Sequence, residues 1–97
     1  MSPYVAILHL HPDASRADEA IALRPRMVAA LKAVRPGLES MELVRVDDTT
    51  WLDIVHWRSK EEFSYQEAAQ RGRESEDFRA WAEIVQVAGL ELGEVLV

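Results

Sequence analysis

The sequence predicts an α+β domain of ferredoxin-like topology, with a four-stranded antiparallel sheet and elements in the order β-α-β-β-α-α-β. Three observations predict it. Four segments are rich in β-branched and other apolar residues, as strands are. Segments with apolar residues at helical spacing separate the first strand from the second and the third from the fourth. Only a short polar turn separates the second strand from the third, and 97 residues fit one domain, residues 1–97.

The first predicted strand covers residues 4–11, and its two faces differ because successive side chains alternate. One face carries apolar residues and two histidines, and the other is wholly apolar. The first face consists of Val5, Ile7, His9 and His11, and the second of Ala6, Leu8 and Leu10.

A helix is predicted over residues 15–34, where apolar side chains recur every three or four positions. Ser15, with Asp18 three residues later, has the form of a capping box. Pro25 removes one backbone hydrogen bond inside this helix, so we expect a kink there. Pro36-Gly37 ends the helix.

A hairpin is predicted from the second and third strands, at residues 38–46 and 51–57, joined by the polar turn 47–50. The third strand is apolar on both faces except at Asp53 and His56. A strand with two apolar faces belongs in the middle of a sheet that is covered on both sides.

The last third of the chain predicts two helices and a strand. Ser59 and Glu62 have the spacing of a capping box at the start of the first of these helices. The second helix covers residues 77–87, Gly89 ends it, and residues 90–97 form the fourth strand.

This order of elements leaves one face of the sheet bare. Right-handed crossovers place the first and third strands in the centre and all the helices on one face. The opposite face would expose Val5, Ile7 and one side of residues 51–57. Leaving apolar surface in water costs about 25 cal/mol for each Å². We therefore expect a homodimer that pairs through this sheet face.

Composition excludes several classes of partner. The formal net charge is −6 and the eleven Lys and Arg residues are scattered, so we expect neither nucleic acid nor a membrane as a partner. The absence of cysteine removes disulfides and thiolate ligands. No Gly-rich phosphate loop is present, and we expect no cofactor. The first residues do not have the pattern of a targeting signal, so we expect a cytoplasmic protein.

Two short motifs lie between Arg35 and Glu62. Pro36-Gly37-Leu38 leads from a helix into an edge strand, and Trp57-Arg58-Ser59, followed by acidic residues, leaves the third strand. These motifs, and the order of elements over essentially the whole chain, resemble the antibiotic biosynthesis monooxygenase-like family of dimeric α/β barrels. The resemblance implies a ferredoxin-like fold and a dimer. It also implies a range of chemistry, from cofactor-independent monooxygenation of polycyclic phenols or quinone precursors to haem degradation, isomerisation and decarboxylation.

The sequence departs from that family's pattern at two points. Family members often carry a His near the end of the helix after the Trp-x-Ser step, where this sequence has Gln66. Haem-degrading members resemble one another through an Asn-Trp-His set, and this sequence has no Asn. Haem degradation is therefore not expected.

Histidines are the candidate catalytic residues. His9 shares a strand face with His11, and His56 lies on the neighbouring central strand. An imidazole acts as a general base near neutral pH, so His9 or His56 would take a proton from a substrate. Alternation puts Asp53 on the other face from His56, which leaves too few ligands for a metal, and we expect no metal site. The alternative is that these histidines are hydrogen-bonded polar groups of the interior or of an interface.

Aromatic residues are the candidate substrate-binding residues. Trp57, Tyr65 and Trp81 would line an apolar pocket between the helices and the sheet, where the Tyr65 hydroxyl would orient a substrate oxygen. The alternative is that these rings are packed core.

Two arginines, Arg24 and Arg26, flank Pro25 on the first helix. We expect both on a solvated helix face, and the alternative is contact with an anionic ligand.

Two functions fit these residues. The first is a cofactor-independent monooxygenase-like protein, or an isomerase, that acts on a small aromatic substrate of the phenol or quinol type. Deprotonation would give an electron-rich anion that itself reacts with oxygen, so the protein supplies a base, a dry pocket and orientation. The alternative is a non-catalytic small-molecule-binding or assembly module of the same fold.

Overall fold

The computed structural model describes residues 3–63 and 75–97. The strands in these ranges are β1 (Tyr4–Pro12), β2 (Leu38–Arg45), β3 (Trp51–Trp57) and β4 (Val85–Glu94). The α-helices in these ranges are α1 (Ala17–Val34) and α2 (Glu76–Ile84), and 3-10 helices cover Ala14–Arg16 and Lys60–Glu62. None of these helices is both long and apolar enough to cross a membrane.

The strands form one antiparallel sheet in the order β2-β3-β1-β4. β1 and β3 are central, as the right-handed crossovers predict. The α+β class and the four-stranded antiparallel sheet are therefore confirmed. Leu8 lies opposite Asp53 and His9 lies opposite Leu52, so each pair shares one face of the sheet.

The start of α1 differs from the prediction, although the helix continues through Pro25. The capping box predicted for Ser15 and Asp18 is wrong, because a 3-10 turn precedes the helix. Asp13 caps this turn: its Oδ1 accepts hydrogen bonds from the Ser15 backbone N–H at 3.0 Å and from the Ser15 hydroxyl at 2.7 Å. A local turn of this kind competes with the helix for the same backbone groups, so α1 begins only at Ala17.

The capping box predicted for Ser59 and Glu62 is also wrong. The Ser59 side chain makes no capping hydrogen bond, and the Glu62 carboxylate pairs with Arg58 instead. The 3-10 helix Lys60–Glu62 begins where the helix is predicted to begin, and the rest of that predicted helix lies mostly outside the described residues.

The boundary between the last helix and the last strand also differs from the prediction. α2 ends at Ile84 and β4 begins at Val85, whereas the sequence predicts a helix over residues 77–87 and a strand over residues 90–97. Gly89 does not end a helix and lies inside β4.

Strand pairing explains this boundary. Val85 lies opposite Pro12 and Val87 lies opposite Leu10, so both valines are part of the ladder with a central strand. A short run of apolar β-branched residues suits a helix or a strand equally well by spacing alone. The partner strand, more than 70 residues away in the sequence, decides between them.

The core lies between the sheet and the helices. Trp51 and Trp57 are at the two ends of β3, and Trp81 is on α2. The Trp51 and Trp81 rings lie 6.3 Å apart between centroids, and Phe63 packs edge-on against Trp57 at 5.5 Å. The other buried apolar residues are Tyr4, Ala6, Leu10, Ala20, Leu23, Met27, Leu31, Leu38, Val55, Ile84 and Val85.

The opposite sheet face carries an apolar strip along its two central strands and, among the described residues, no helix packs on it. It presents Val5, Ile7, Leu52 and Ile54, each partly exposed, along the two central strands. The predicted bare apolar face is therefore present in the chain. The second copy expected to cover it stays a prediction.

Candidate functional site

A half-enclosed cavity of about 120 Å³ lies between the helix-facing side of the sheet and the two α-helices. Apolar side chains from both layers form most of its wall. Among the described lining residues, one acidic residue, Asp53, and one basic residue, Arg35, interrupt this apolar surface. An engineered apolar cavity of about 150 Å³ binds benzene, so this cavity has roughly the size for one aromatic ring.

Trp57 and Trp81 both lie in the cavity wall. Trp57 faces the helices because it alternates in step with Val55 and Asp53 along β3. Trp81 reaches the same cavity from α2. Tyr65, the third residue predicted to bind substrate, lies outside the described residues.

The Trp57 indole lies between a cation and a second ring. Arg35 Cζ is 5.4 Å from the indole centroid, and Phe63 packs against the ring edge-on. Trp57 is 3% exposed, and its Nε1 has no hydrogen-bond partner in the part of the chain that the structure describes. The buried hydroxyl of Ser59 has none there either. A buried donor without a partner costs about 1–3 kcal/mol, so an acceptor brought to Trp57 would be favourable.

A buried ion pair joins α1 to β3 beside the cavity. Arg24 Nη1 donates to Asp53 Oδ2 and Arg24 Nη2 donates to Asp53 Oδ1, both at 2.7 Å. The Arg24 Cζ also lies 5.0 Å from the centroid of the Trp81 ring. Two parallel charge-assisted hydrogen bonds and the aromatic face fix the position of the carboxylate in the wall.

The prediction that Arg24 lies on a solvated helix face is wrong. Arg24 is buried, while Arg26 is exposed and lies 3.6 Å from Asp77 on α2. Helical spacing explains the difference, because Arg24 is four residues after Ala20 and three before Met27, within the buried stripe of α1. The inward-facing Asp53 supplies the countercharge that makes this burial possible.

His9 and His56 lie on the sheet face opposite the cavity. His56 is paired with Val5 and His9 with Leu52, both away from the helices. Since His9 is four residues from Val5 along β1, the two histidines are about 13 Å apart along the strands. The structure brings them neither together nor to the cavity. Within one chain they remain candidates only for chemistry on the opposite face.

Two of the histidines have hydrogen-bond partners. His9 Nε2 lies 2.6 Å from Glu91 Oε2 across the β1–β4 pair. His11 Nδ1 lies 3.0 Å from the Thr49 carbonyl oxygen in the hairpin turn. Within the described ranges, no group of three or more His, Cys, Asp or Glu side chains is placed to hold a metal ion.

No family model matches the sequence, and no curated protein matches it. Solved structures do match. A candidate antibiotic biosynthesis monooxygenase from Caulobacter crescentus CB15 has 16% identity and a TM-score of 0.66, over 99% of this chain and 92% of that chain. SnoaB, a cofactor-independent oxygenase from Streptomyces nogalater, has 15% identity and a TM-score of 0.64, over 100% of this chain and 96% of that chain.

The chain has the antibiotic biosynthesis monooxygenase-like fold. HapK from Hahella chejuensis also matches, with 14% identity and a TM-score of 0.72, over 96% of this chain and 92% of that chain. The resemblance inferred from residues 35–62 is thus confirmed for the fold. At these identities the likeness concerns the fold alone.

Sequence reasoning missed the polar part of the cavity wall. It treated Arg24 as a surface residue, considered Asp53 only as a metal ligand, and gave Arg35 no role at the site. A signal was present for the first two: Arg24 lies in register with the apolar residues of its helix, and Asp53 faces the same side as Val55 and Trp57.

Proposed function

We propose that this chain is a cofactor-independent monooxygenase-like protein that binds a small aromatic substrate of the phenol or quinol type between its helices and its sheet. One observation carries the proposal: the cavity is apolar, is walled by Trp57 and Trp81, and is about the size of an aromatic ring. Sites that bury flat apolar ligands combine such walls with a few polar groups, here Asp53 and Arg35.

The chemistry can be written for 1-naphthol as a probe substrate, whose hydroxylated ring would occupy the cavity while its second ring would lie toward the open side. The Arg35 guanidinium in the cavity wall favours the naphtholate, because a nearby cation lowers the pKa of a phenol. The anion passes one electron to O₂, and the two radicals combine at the ring carbon opposite the oxygen. The peroxide anion that forms takes up from solvent the proton that the hydroxyl had released to it, and the hydroperoxide then loses water and leaves a carbonyl. The sum is 1-naphthol plus O₂ giving 1,4-naphthoquinone plus H₂O, with all the electrons supplied by the substrate.

The test is oxygen uptake with 1-naphthol, measured together with the formation of 1,4-naphthoquinone. We expect equal amounts of oxygen consumed and quinone formed. The variant Ala82→Phe adds a ring at an exposed position of the cavity wall and should lower kcat/KM about tenfold or more, since overfilling costs about 1–3 kcal/mol. The control is Ala33→Phe, at an exposed position of α1 outside the cavity wall, which should leave the rate unchanged. Absence of turnover above the rate in buffer would reject the reaction.

A second function, a binding module without catalysis, is favoured by one specific observation. The only carboxylate among the described lining residues is held by Arg24, and neither His9 nor His56 lies in the wall. Calorimetric binding of 1-naphthol without oxygen uptake would support this function over the first.

A homodimer through the open sheet face is part of the same proposal. Val5, Ile7, Leu52 and Ile54 form an apolar strip that no described helix covers, and a second copy would bury it. The sheet-to-sheet arrangement leaves each cavity on the outer, helical side of its own sheet. Each copy would therefore carry a complete cavity.

A further inference from the structure

Asp53 and Arg24 occupy different positions relative to the cavity. Asp53 belongs to the cavity wall, whereas Arg24 is not among the residues that line the cavity. Both residues are buried, at 3% and 9% exposure. The wall therefore contains an acidic residue whose countercharge lies outside the lining.

The carboxylate of Asp53 has unused acceptor capacity. Each of its oxygens accepts one hydrogen bond from Arg24, and no other donor reaches it from the described residues. An ionised carboxylate offers about four lone-pair sites, so about two remain. A ligand hydroxyl in the cavity is the kind of group that fills such a site.

Stability alone does not account for a buried charged pair beside this cavity. Replacing a buried ion pair by apolar side chains of similar volume is often neutral or stabilising. The pair does, however, hold the carboxylate in one orientation, through the two bonds to Arg24 and the contact of Arg24 with Trp81. A fixed acceptor in an apolar wall discriminates between ligands by their polar groups.

We propose that Asp53, oriented by Arg24, is the specificity-determining residue of the cavity and selects ligands that carry a ring hydroxyl over ligands whose oxygens only accept hydrogen bonds. The inference rests on the proposed function for its site. On this inference, the cavity binds the reduced, hydroxylated substrate and releases the oxidised product. Oxidation turns the hydroxyl into a carbonyl, which has no proton to donate to Asp53. A carbonyl oxygen set against the carboxylate would leave both acceptors without a donor.

The test uses two probes, 1-naphthol and 1-methoxynaphthalene, in the second of which a methyl group replaces the hydroxyl proton. Binding is measured by calorimetry without oxygen, so that no turnover occurs. We expect 1-naphthol to bind about 10- to 100-fold more tightly, as expected for a hydrogen bond to a charged group. 1,4-Naphthoquinone should bind as weakly as the methyl ether.

The variant must remove the charges without leaving one of them alone in the interior. Arg24→Gln with Asp53→Asn keeps an amide at each position, and we expect its preference for 1-naphthol to fall to about threefold or less, since a neutral amide contributes less than a carboxylate. The matched control is Arg16→Gln with Glu19→Gln, which removes an exposed ion pair beside the start of α1 and should keep the full preference. Circular dichroism checks that both double variants are folded.

Five outcomes separate the inference from the proposed function. Equal binding of the two probes by the unmodified protein would overturn the inference, as would a preference that survives in Arg24→Gln, Asp53→Asn. Turnover of 1-naphthol with no selectivity would overturn the inference alone. An Asp53-dependent preference without oxygen uptake would support the inference and leave the binding-module function. If neither probe binds, the inference is overturned together with the cavity as the binding site.

Discussion

Arg24 of α1 and Asp53 of β3 connect the helical layer to the centre of the sheet through two hydrogen bonds of 2.7 Å each. The side chains are 10% and 5% exposed, so little solvent screens them. Removing one partner of such a pair leaves the other charge buried and uncompensated, whereas removing both leaves none. The effects of the two substitutions on stability should therefore not be additive.

The first prediction follows from this non-additivity. Arg24→Met alone should lower the free energy of unfolding by about 3–5 kcal/mol, because Asp53 remains buried without its countercharge. Arg24→Met with Asp53→Leu should restore the free energy of unfolding to within about 1 kcal/mol of the unmodified protein, or above it. Urea unfolding followed by tryptophan fluorescence measures both. Equal destabilisation by the single and double variants would contradict the prediction.

The second prediction concerns the junction between α1 and β2. A Cβ atom at Gly37 would lie 2.6 Å from Glu62 Cβ, closer than side chains pack. Gly37→Ala should therefore lower the free energy of unfolding by about 1–3 kcal/mol, which corresponds to roughly 4–8 °C in Tm for each kcal/mol. Gly93→Ala is the control, because no atom lies within 4 Å of the added Cβ. A thermal melt showing the same Tm for both variants would be evidence against this contact.

The fold followed from the sequence where a local pattern and the overall topology agree. Residues 51–57 are apolar on both faces, and only a central strand buries both. The start of β4 did not follow, because the spacing of Ile84 and Val85 suits a helix as well as a strand and the choice depends on pairing with β1. Periodicity describes one segment, whereas pairing joins two segments distant in the sequence.

The candidate site was predicted only in part. Strand alternation correctly places His9 and Leu8 on opposite faces of the sheet. The cavity lies on the face of Leu8, where the helices pack, so His9 is not in its wall. Trp57 and Trp81 were singled out as large aromatic residues, a property visible in the sequence. The pairing of Arg24 with Asp53 was not visible, since 29 positions separate the two residues and only the packing of α1 on β3 brings them together.

The third prediction concerns acid stability. The hydroxyl and backbone N–H of Ser15 hold the pKa of Asp13 below its ordinary value of 3.8, and the backbone N–H and hydroxyl of Thr49 do the same for Asp47. A carboxyl group whose pKa is lower in the folded state stabilises the fold above its unfolded pKa. This contribution is lost as the pH falls through the folded pKa, below about pH 4.

The variant Asp13→Asn with Asp47→Asn keeps an oxygen acceptor at both turns but removes the titration. It should lose less of its free energy of unfolding between about pH 5 and pH 2 than the unmodified protein does. Asp48→Asn, at an exposed neighbour in the same turn, is the control. Urea unfolding at each pH gives the comparison, and parallel curves for the double variant and the unmodified protein would refute the role of these two turns.

The fourth prediction compares the two tryptophans of β3. Trp57→Phe and Trp51→Phe remove the same volume from nearly equally buried positions. Among the described residues, Trp57 Nε1 is a buried donor without a hydrogen-bond partner, whereas Trp51 Nε1 is not. Trp57→Phe should therefore lower the free energy of unfolding by about 1–3 kcal/mol less than Trp51→Phe does.

Ligand binding gives Trp57 a second, independent measurement. If a ligand oxygen accepts a hydrogen bond from its indole N–H, Trp57→Phe should weaken 1-naphthol binding by about 2- to 10-fold, while Trp51→Phe should leave it unchanged. Relative to Trp51→Phe, the Trp57→Phe variant would then be more stable but would bind 1-naphthol less tightly. Unchanged affinity with the predicted difference in stability would show that the donor is unpaired but not used.

The last prediction concerns the open sheet face. If a second copy covers it, Ile54→Glu places a carboxylate in a dry interface and should raise the dissociation constant of the dimer at least about 100-fold. Ile21→Glu, at an exposed position of α1, is the matched control and should leave the dimer intact. Sedimentation velocity over a range of concentrations measures both. If the unmodified protein is monomeric at all concentrations, the dimer is rejected. The cavity lies on the other side of the sheet, so a monomeric Ile54→Glu variant should still be able to bind 1-naphthol. Such binding would show that the cavity works without the partner.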